Sequence, residues 1–164
     1  MSEFDPATFT LLRKGHAFED FEVGRRFDHH WGRTLTDGDN ALFTTVTLAY
    51  NPLYFNAEYA RAQGHRAVVI NPMLVLCTVV GLSVEDLSEA GGPFLGVDDL
   101  TFHRPAYPGD TLTAHSTVVS VRESGSRPEF GIVTWHTEGR NQHGDVVVDY
   151  KRTNLVAKRR GDRT

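Results

Sequence analysis

Asp37, Asp39, Tyr54 and His65 are the candidates of this chain for proton transfer. A carboxylate or a neutral imidazole can take a proton near neutrality, whereas a phenol, with an ordinary pKa of about 10, is a donor of a proton or a hydrogen bond. Each also has a plainer role. Asp39 follows Thr36 at capping-box spacing, so it serves equally as the partner of a helix start. Tyr54 suits packing in a loop with its hydroxyl satisfied nearby. His65 stands beside Gly64, a few residues ahead of an apolar segment, and such a histidine is commonly solvated. Asn51 precedes Pro52, where its amide can orient the loop, contact a ligand or simply cap a turn.

The pair Asn71-Pro72 opens an apolar run with an N-cap followed by the residue suited to the first helical position. A helix amino terminus carries unpaired N–H groups and a partial positive charge, so its first turn can hold an oxygen that gains negative charge. Pro72 has no N–H, which leaves Met73 and Leu74 as the expected backbone donors, with Asn71 capping the same turn.

Charged ligand groups need cations. Arg104, in HRPAYPGD, and Arg127, in SGSRP, fall at expected strand ends and can meet phosphates, while Arg122 reads as a solvated edge charge. The eight histidines show no metal-ligand spacing with carboxylates or thiols, and His29 and His30 would face opposite sides of a strand. The chain lacks the common glycine-rich nucleotide-binding patterns, and no Ser-His-acid arrangement is legible. Neither a metal nor another cofactor is expected. Cys77, the single cysteine, excludes an intrachain disulfide and reads as a small buried side chain within an apolar run.

The elements that must carry these residues fit one domain of 164 residues. A net charge of -4 gives no general reason to expect nucleic-acid or anionic-membrane binding. The longest apolar stretch, interrupted by Asn71-Pro72, is shorter than a membrane-spanning helix, and the amino terminus has no leader-like pattern, so a cytoplasmic protein is expected. Residues 1–17 read as a flexible segment, 18–158 as the domain and 159–164 as a disordered tail.

A strand-like stretch runs from Arg26 to Leu35, and short helices are expected after the caps Thr36 and Asn56. Met73 to Leu82 is apolar on nearly every side, which predicts a buried helix with a polar continuation from Ser83 to Glu89. Long antiparallel strands follow at Leu95 to Arg104, Thr111 to Arg122, Phe130 to Gly139 and Asp145 to Ala157. One buried helix followed by such a run predicts an α+β domain, a long curved sheet wrapped around the helix. That is the hotdog architecture. Its uncovered edge and face predict a homodimer or a higher homo-oligomer.

Taken in order, FEDFEVGRRF, TLTDGDNALF, YNPLYFNAEYA, INPML and FHRPAYPGDTL resemble the MaoC-like branch of the hotdog superfamily, which includes the (R)-specific enoyl-CoA hydratases. HHWGRTLTDGDNALFTT and ESGSRPEFGIV are similar to the subgroup associated with mesaconyl-CoA hydration and methylmalyl-CoA dehydration. The resemblance implies an acyl-CoA thioester ligand and a loop with an acid five residues before a histidine. Those positions hold Ala49 and Tyr54, and the family's frequent His-Gly at the helix start is replaced by Asn71-Pro72.

Hydration of an enoyl thioester requires a group that takes a proton from water, one that protonates the α-carbon, and donors to the enolate oxygen. The expected assignment gives acid–base work to Asp39 and Tyr54, with His65 behind them, and gives oxygen binding to the helix start at Asn71. The expected activity is a hydratase or dehydratase of a short, branched or dicarboxylic enoyl-CoA. The alternatives are a non-catalytic thioester-binding partner of an active paralogue and, with no base or nucleophile standing out, a thioesterase.

Overall fold

The computed structural model describes residues Lys14 to Arg159. Expectations placed on 1–13 and 160–164 lie outside the described residues. His16 already packs into the domain: its ring lies 5.2 Å from that of Phe27, and its Nδ1 is 2.9 Å from the Asp86 carbonyl. The packed structure therefore starts ahead of residue 18.

Six strands form one antiparallel arrangement. β1 (Arg26–Asp28) and β2 (Arg33–Thr34) both pair with β4 (Thr111–Glu123), and the order β1-β4-β5-β6-β3 continues through β5 (Phe130–Arg140), β6 (Val146–Ala157) and β3 (Phe94–Phe102). The expected strand from Arg26 to Leu35 is broken in two. Between the pairs Asp28 with His115 and Arg33 with Leu112, five residue steps on one side face three on the other, so His29 to Gly32 bulge from the ladder. His29 uses the bulge to turn inward, its Nδ1 2.6 Å from Asp86 Oδ2 and its Nε2 2.9 Å from Ser116 Oγ.

Along β5 the alternation is strict: Gly131, Val133, Trp135, Thr137 and Gly139 are buried, and the residues between them are not. The inner face of the sheet holds α3 (Pro72–Leu82), whose Val75, Leu76 and Val79 join Leu112, Val148 and Tyr150 in one cluster. A second cluster gathers Phe18, Phe21, Phe27, Leu87 and Trp135 at the other end. Burial pushes the Tyr150 phenol up to about 12. Buried Arg152 spans the seam, donating to Ser83 Oγ at 3.0 Å, Ser88 Oγ at 2.6 Å and Asn154 Oδ1 at 3.0 Å. Those bonds hold α4 (Val84–Leu87), a separate short helix where a continuous extension of α3 was expected, because α3 ends at the buried Ser83.

The sheet covers only one side of α3. Met73 is 48% exposed and Cys77 is exposed, which overturns the expectation that this helix and its cysteine are wholly buried. The reason is geometric: a sheet can wrap one face of a helix, and among the described residues nothing else covers the other. β3, the last strand in the sheet order, also exposes Leu100 and Phe102. Among the described residues no helix is long and apolar enough to cross a membrane.

Candidate active site

Each helical element from α1 to α3 begins at a residue whose side chain caps it. α1 (Asp37–Val46) begins at Thr36, which accepts the Asp39 N–H at 3.1 Å while Asp39 Oδ2 accepts the Thr36 N–H at 3.0 Å, a complete capping box. A 3-10 turn, Pro52–Tyr54, begins at Asn51, whose Oδ1 accepts the Leu53 N–H at 3.0 Å. α2 (Ala57–Ala62) begins at Asn56 in the same manner. α3 begins at Asn71, whose Oδ1 accepts the Met73 N–H at 2.9 Å.

One buried side chain ties α1 and the 3-10 turn to the start of α3. Asn40, 1% exposed on α1, donates through Nδ2 to the Tyr54 carbonyl at 2.8 Å and the Val69 carbonyl at 3.1 Å, and its Oδ1 accepts the Asn71 N–H at 2.8 Å. Sequence reasoning missed it. The available signal was position: Asn40 and Thr44 share the buried stripe of α1, while Leu42 and Val46 are exposed.

Two clefts flank Tyr54. The first, about 440 Å³, is lined by Phe43, Thr47, Ala49, Tyr54, Asn71, Met73 and Cys77. The second, about 320 Å³, is largely apolar, with Leu53, Val69, Val75, Phe102 and Val147 in its walls and His65, His103 and Arg104 among its polar residues. The chain enters the first cleft through Leu48, which has φ 55, a left-handed conformation usually given to glycine at a helix end.

The structure thus brings together Tyr54, Asn71 and Met73 in one cleft, and Tyr54, His65 and Arg104 in the other. Asp39 lines neither. Its carboxylate is held by the Thr36 hydroxyl and N–H and by Arg33 at 2.9 Å, and these hydrogen bonds keep it below the usual carboxylate range. Arg127 is also elsewhere: it belongs to the turn joining the end of β4 to the start of β5. Arg104 follows β3 at the opposite end of the sheet, where Arg140 pairs with Val146. Within one chain these two candidate phosphate contacts therefore lie at opposite ends of the sheet.

The two expected backbone donors are occupied within the helix start. Met73 N–H binds the Asn71 side chain, and Leu74 N–H binds the Asn71 carbonyl at 2.9 Å. Because Asn71 Oδ1 is committed to Met73, its Nδ2 is the end left over, and no partner for it occurs among the described residues. Arg104 pairs with Asp145 at 2.8 Å, and His103 Nε2 lies 2.6 Å from Asp149 Oδ1. Burial would raise Asp149, but hydrogen bonds from His136 and His103 outweigh it and hold the carboxyl low.

A family model described as mesaconyl-CoA hydratase matches residues 6–164. The chain belongs to the mesaconyl-CoA hydratase family. It is 44% identical over 147 residues to the mesaconyl-CoA hydratase of Haloarcula marismortui, covering 89% of this chain and 41% of that protein. It is 35% identical over 145 residues to the β-methylmalyl-CoA dehydratase of Chloroflexus aurantiacus, with 88% and 41% covered. A solved structure described as a MaoC domain dehydratase from Chloroflexus aurantiacus superposes with a TM-score of 0.84 at 33% identity, covering 92% of this chain and 42% of that one. The fold is the hotdog fold, as the sequence predicted. The chain spans about two-fifths of the length of these family relatives.

Proposed function

We propose that this chain is a hydratase or dehydratase domain for a short, branched or dicarboxylic enoyl-CoA thioester of the mesaconyl-CoA kind. The observation that carries the reading is the shared cleft of Tyr54 and Asn71 in a chain of this family. In the proposed mechanism the thioester oxygen binds Asn71 Nδ2, because Pro72 lacks an N–H and the next two N–H groups are taken by Asn71 itself. The Tyr54 hydroxyl then gives its proton to the α-carbon as water adds to the β-carbon, and the phenolate left behind takes up the proton that this water loses. Asp39 is assigned to folding, since it lines neither cleft.

A second reading has its own support. Ala49 occupies the acid position, neither cleft includes a carboxylate, and the family relatives are more than twice as long as this domain. In that reading the domain binds the thioester and a second hotdog domain, seated on the open face of α3 and β3, supplies the base.

Both readings are separated by following absorbance and mass of enoyl-CoA and hydroxyacyl-CoA thioesters incubated with the purified protein, Tyr54→Phe and Asn71→Ser. Serine preserves the helix cap but removes the amide donor, so the first reading expects turnover to fall about a hundredfold or more with little change in stability. Binding without turnover in the parent protein selects the second reading. Absence of both binding and turnover overturns the two together.

A further inference from the structure

His65 belongs to the loop between α2 and α3, and a chain of contacts fixes its ring. Its Nδ1 lies 3.0 Å from the Tyr107 hydroxyl. Tyr107 is pinned in turn, its N–H donating to Asp110 Oδ2 at 2.8 Å and its ring covered by the Arg66 guanidinium at 4.4 Å. Arg66 donates to Asp110 Oδ1 at 3.0 Å, and Gln142 reaches the same oxygen at 3.1 Å. With Nδ1 engaged, Nε2 is the edge of the imidazole that remains for the cleft beside Tyr54.

The other polar groups of that cleft differ in their commitments. His103 is bound to Asp149, which His136 also contacts at 2.8 Å. Arg104 is bound to Asp145, but its side chain is 50% exposed and that of Asp145 41%, so this ion pair is readily exchanged for another carboxylate. His65 has no carboxylate within ion-pair distance among the described residues. Around these donors the walls are apolar, including Val69, Phe102 and Val147. Such a cleft suits a short carbon skeleton that ends in an anion: the walls take the carbons, and the donors replace water around the charge. A neutral alkyl end would fill the walls and leave the donors without a partner.

We propose that this cleft receives the distal carboxylate of the acyl group, with His65 Nε2 and the Arg104 guanidinium as its donors and Tyr54 as the divider from the thioester end. The inference rests on the thioester reading above and extends it to the residues that select a dicarboxylic acyl chain.

Calorimetric titration with two non-hydrolysable ligands, the carboxypropyl and butyl thioethers of CoA, isolates the anionic end from the rest of the molecule. The expected result is binding of the carboxypropyl ligand at least about tenfold more tightly. His65→Leu and Arg104→Met should each shrink that ratio by weakening the carboxypropyl ligand alone, while Arg127→Met at the far end of the sheet changes neither affinity. His65→Asn serves as the alternative should the leucine variant lose its native circular dichroism. Equal affinity of the parent protein for both ligands, or parallel losses in the variants, overturns the carboxylate subsite and leaves the thioester reading intact. Failure of both ligands to bind overturns both.

Discussion

Asn40 Oδ1 accepts the backbone N–H of Asn71 at 2.8 Å, across 31 positions of sequence, while the same side chain holds the carbonyls of Tyr54 and Val69. Three strands of loop are thereby fixed by one amide that has all of these bonds inside the protein. Replacing it leaves a buried donor and two buried acceptors unpaired. Asn40→Leu should therefore cost about 2–4 kcal/mol of folding free energy, read as a shift of the urea midpoint, and Asn40→Ala a comparable amount. A change below about 0.5 kcal/mol would mean that the loop finds other partners.

Asp39 should behave as a folding residue with an acid-sensitive contribution. Its carboxyl is held below the ordinary 3.8 by the Thr36 hydroxyl and N–H and by Arg33. A lowered folded-state value means that its stabilisation is complete above the unfolded value and fades as pH falls through the folded one. Asp39→Ala is expected to lose about 1 kcal/mol at neutral pH, and this gap from the parent should close as thermal midpoints are followed below pH of about 4. Catalytic turnover per folded molecule should stay unchanged.

Gly139 of β5 faces α3 with no room for a side chain. A Cβ there would meet Val79 Cγ2 at 2.5 Å and Val148 Cγ1 at 3.0 Å, both in the buried cluster. Gly139→Ala should destabilise by about 1–3 kcal/mol through overpacking. Val79→Ala in the same molecule should recover part of that loss, which a double-mutant cycle in denaturant will measure.

Cys77 reports on the uncovered side of α3. Its exposure in the single chain predicts rapid reaction with a maleimide when the protein is dilute. If a second domain covers that face, labelling slows as concentration rises, in step with a doubling or more of the mass by light scattering. Rapid labelling of a monomer at every concentration would exclude the α3 face as the contact.

The parts of this fold that could be read along the chain are those decided by neighbours. Thr36, Asn56 and Asn71 cap helices through bonds spanning two or three residues, and the alternation of β5 is set by its own pleat. The Arg26 to Leu35 stretch misled because its break depends on His29 finding Asp86 and Ser116, 57 and 87 positions away. Arg127 and Arg104 looked equivalent as strand-end cations, and only strand direction separates them. The candidate site was half legible: Tyr54, Asn71 and His65 line the clefts, whereas Asn40 resembles any polar residue on a short helix until its distant partners are known. Cys77 was misjudged because hydrophobic character alone does not say which molecule does the covering.

The pairing of Asn71 with Pro72 alters what substitution can change at the helix start. A peptide N–H is present whatever residue occupies a position, apart from proline, so a donor of that kind survives sequence drift. Asn71 Nδ2, in the proposed mechanism, is instead lost by a single exchange, and serine or aspartate would still start the helix. Activity and architecture are then separable at one codon, and relatives of this domain can fall silent as enzymes while keeping the same shape.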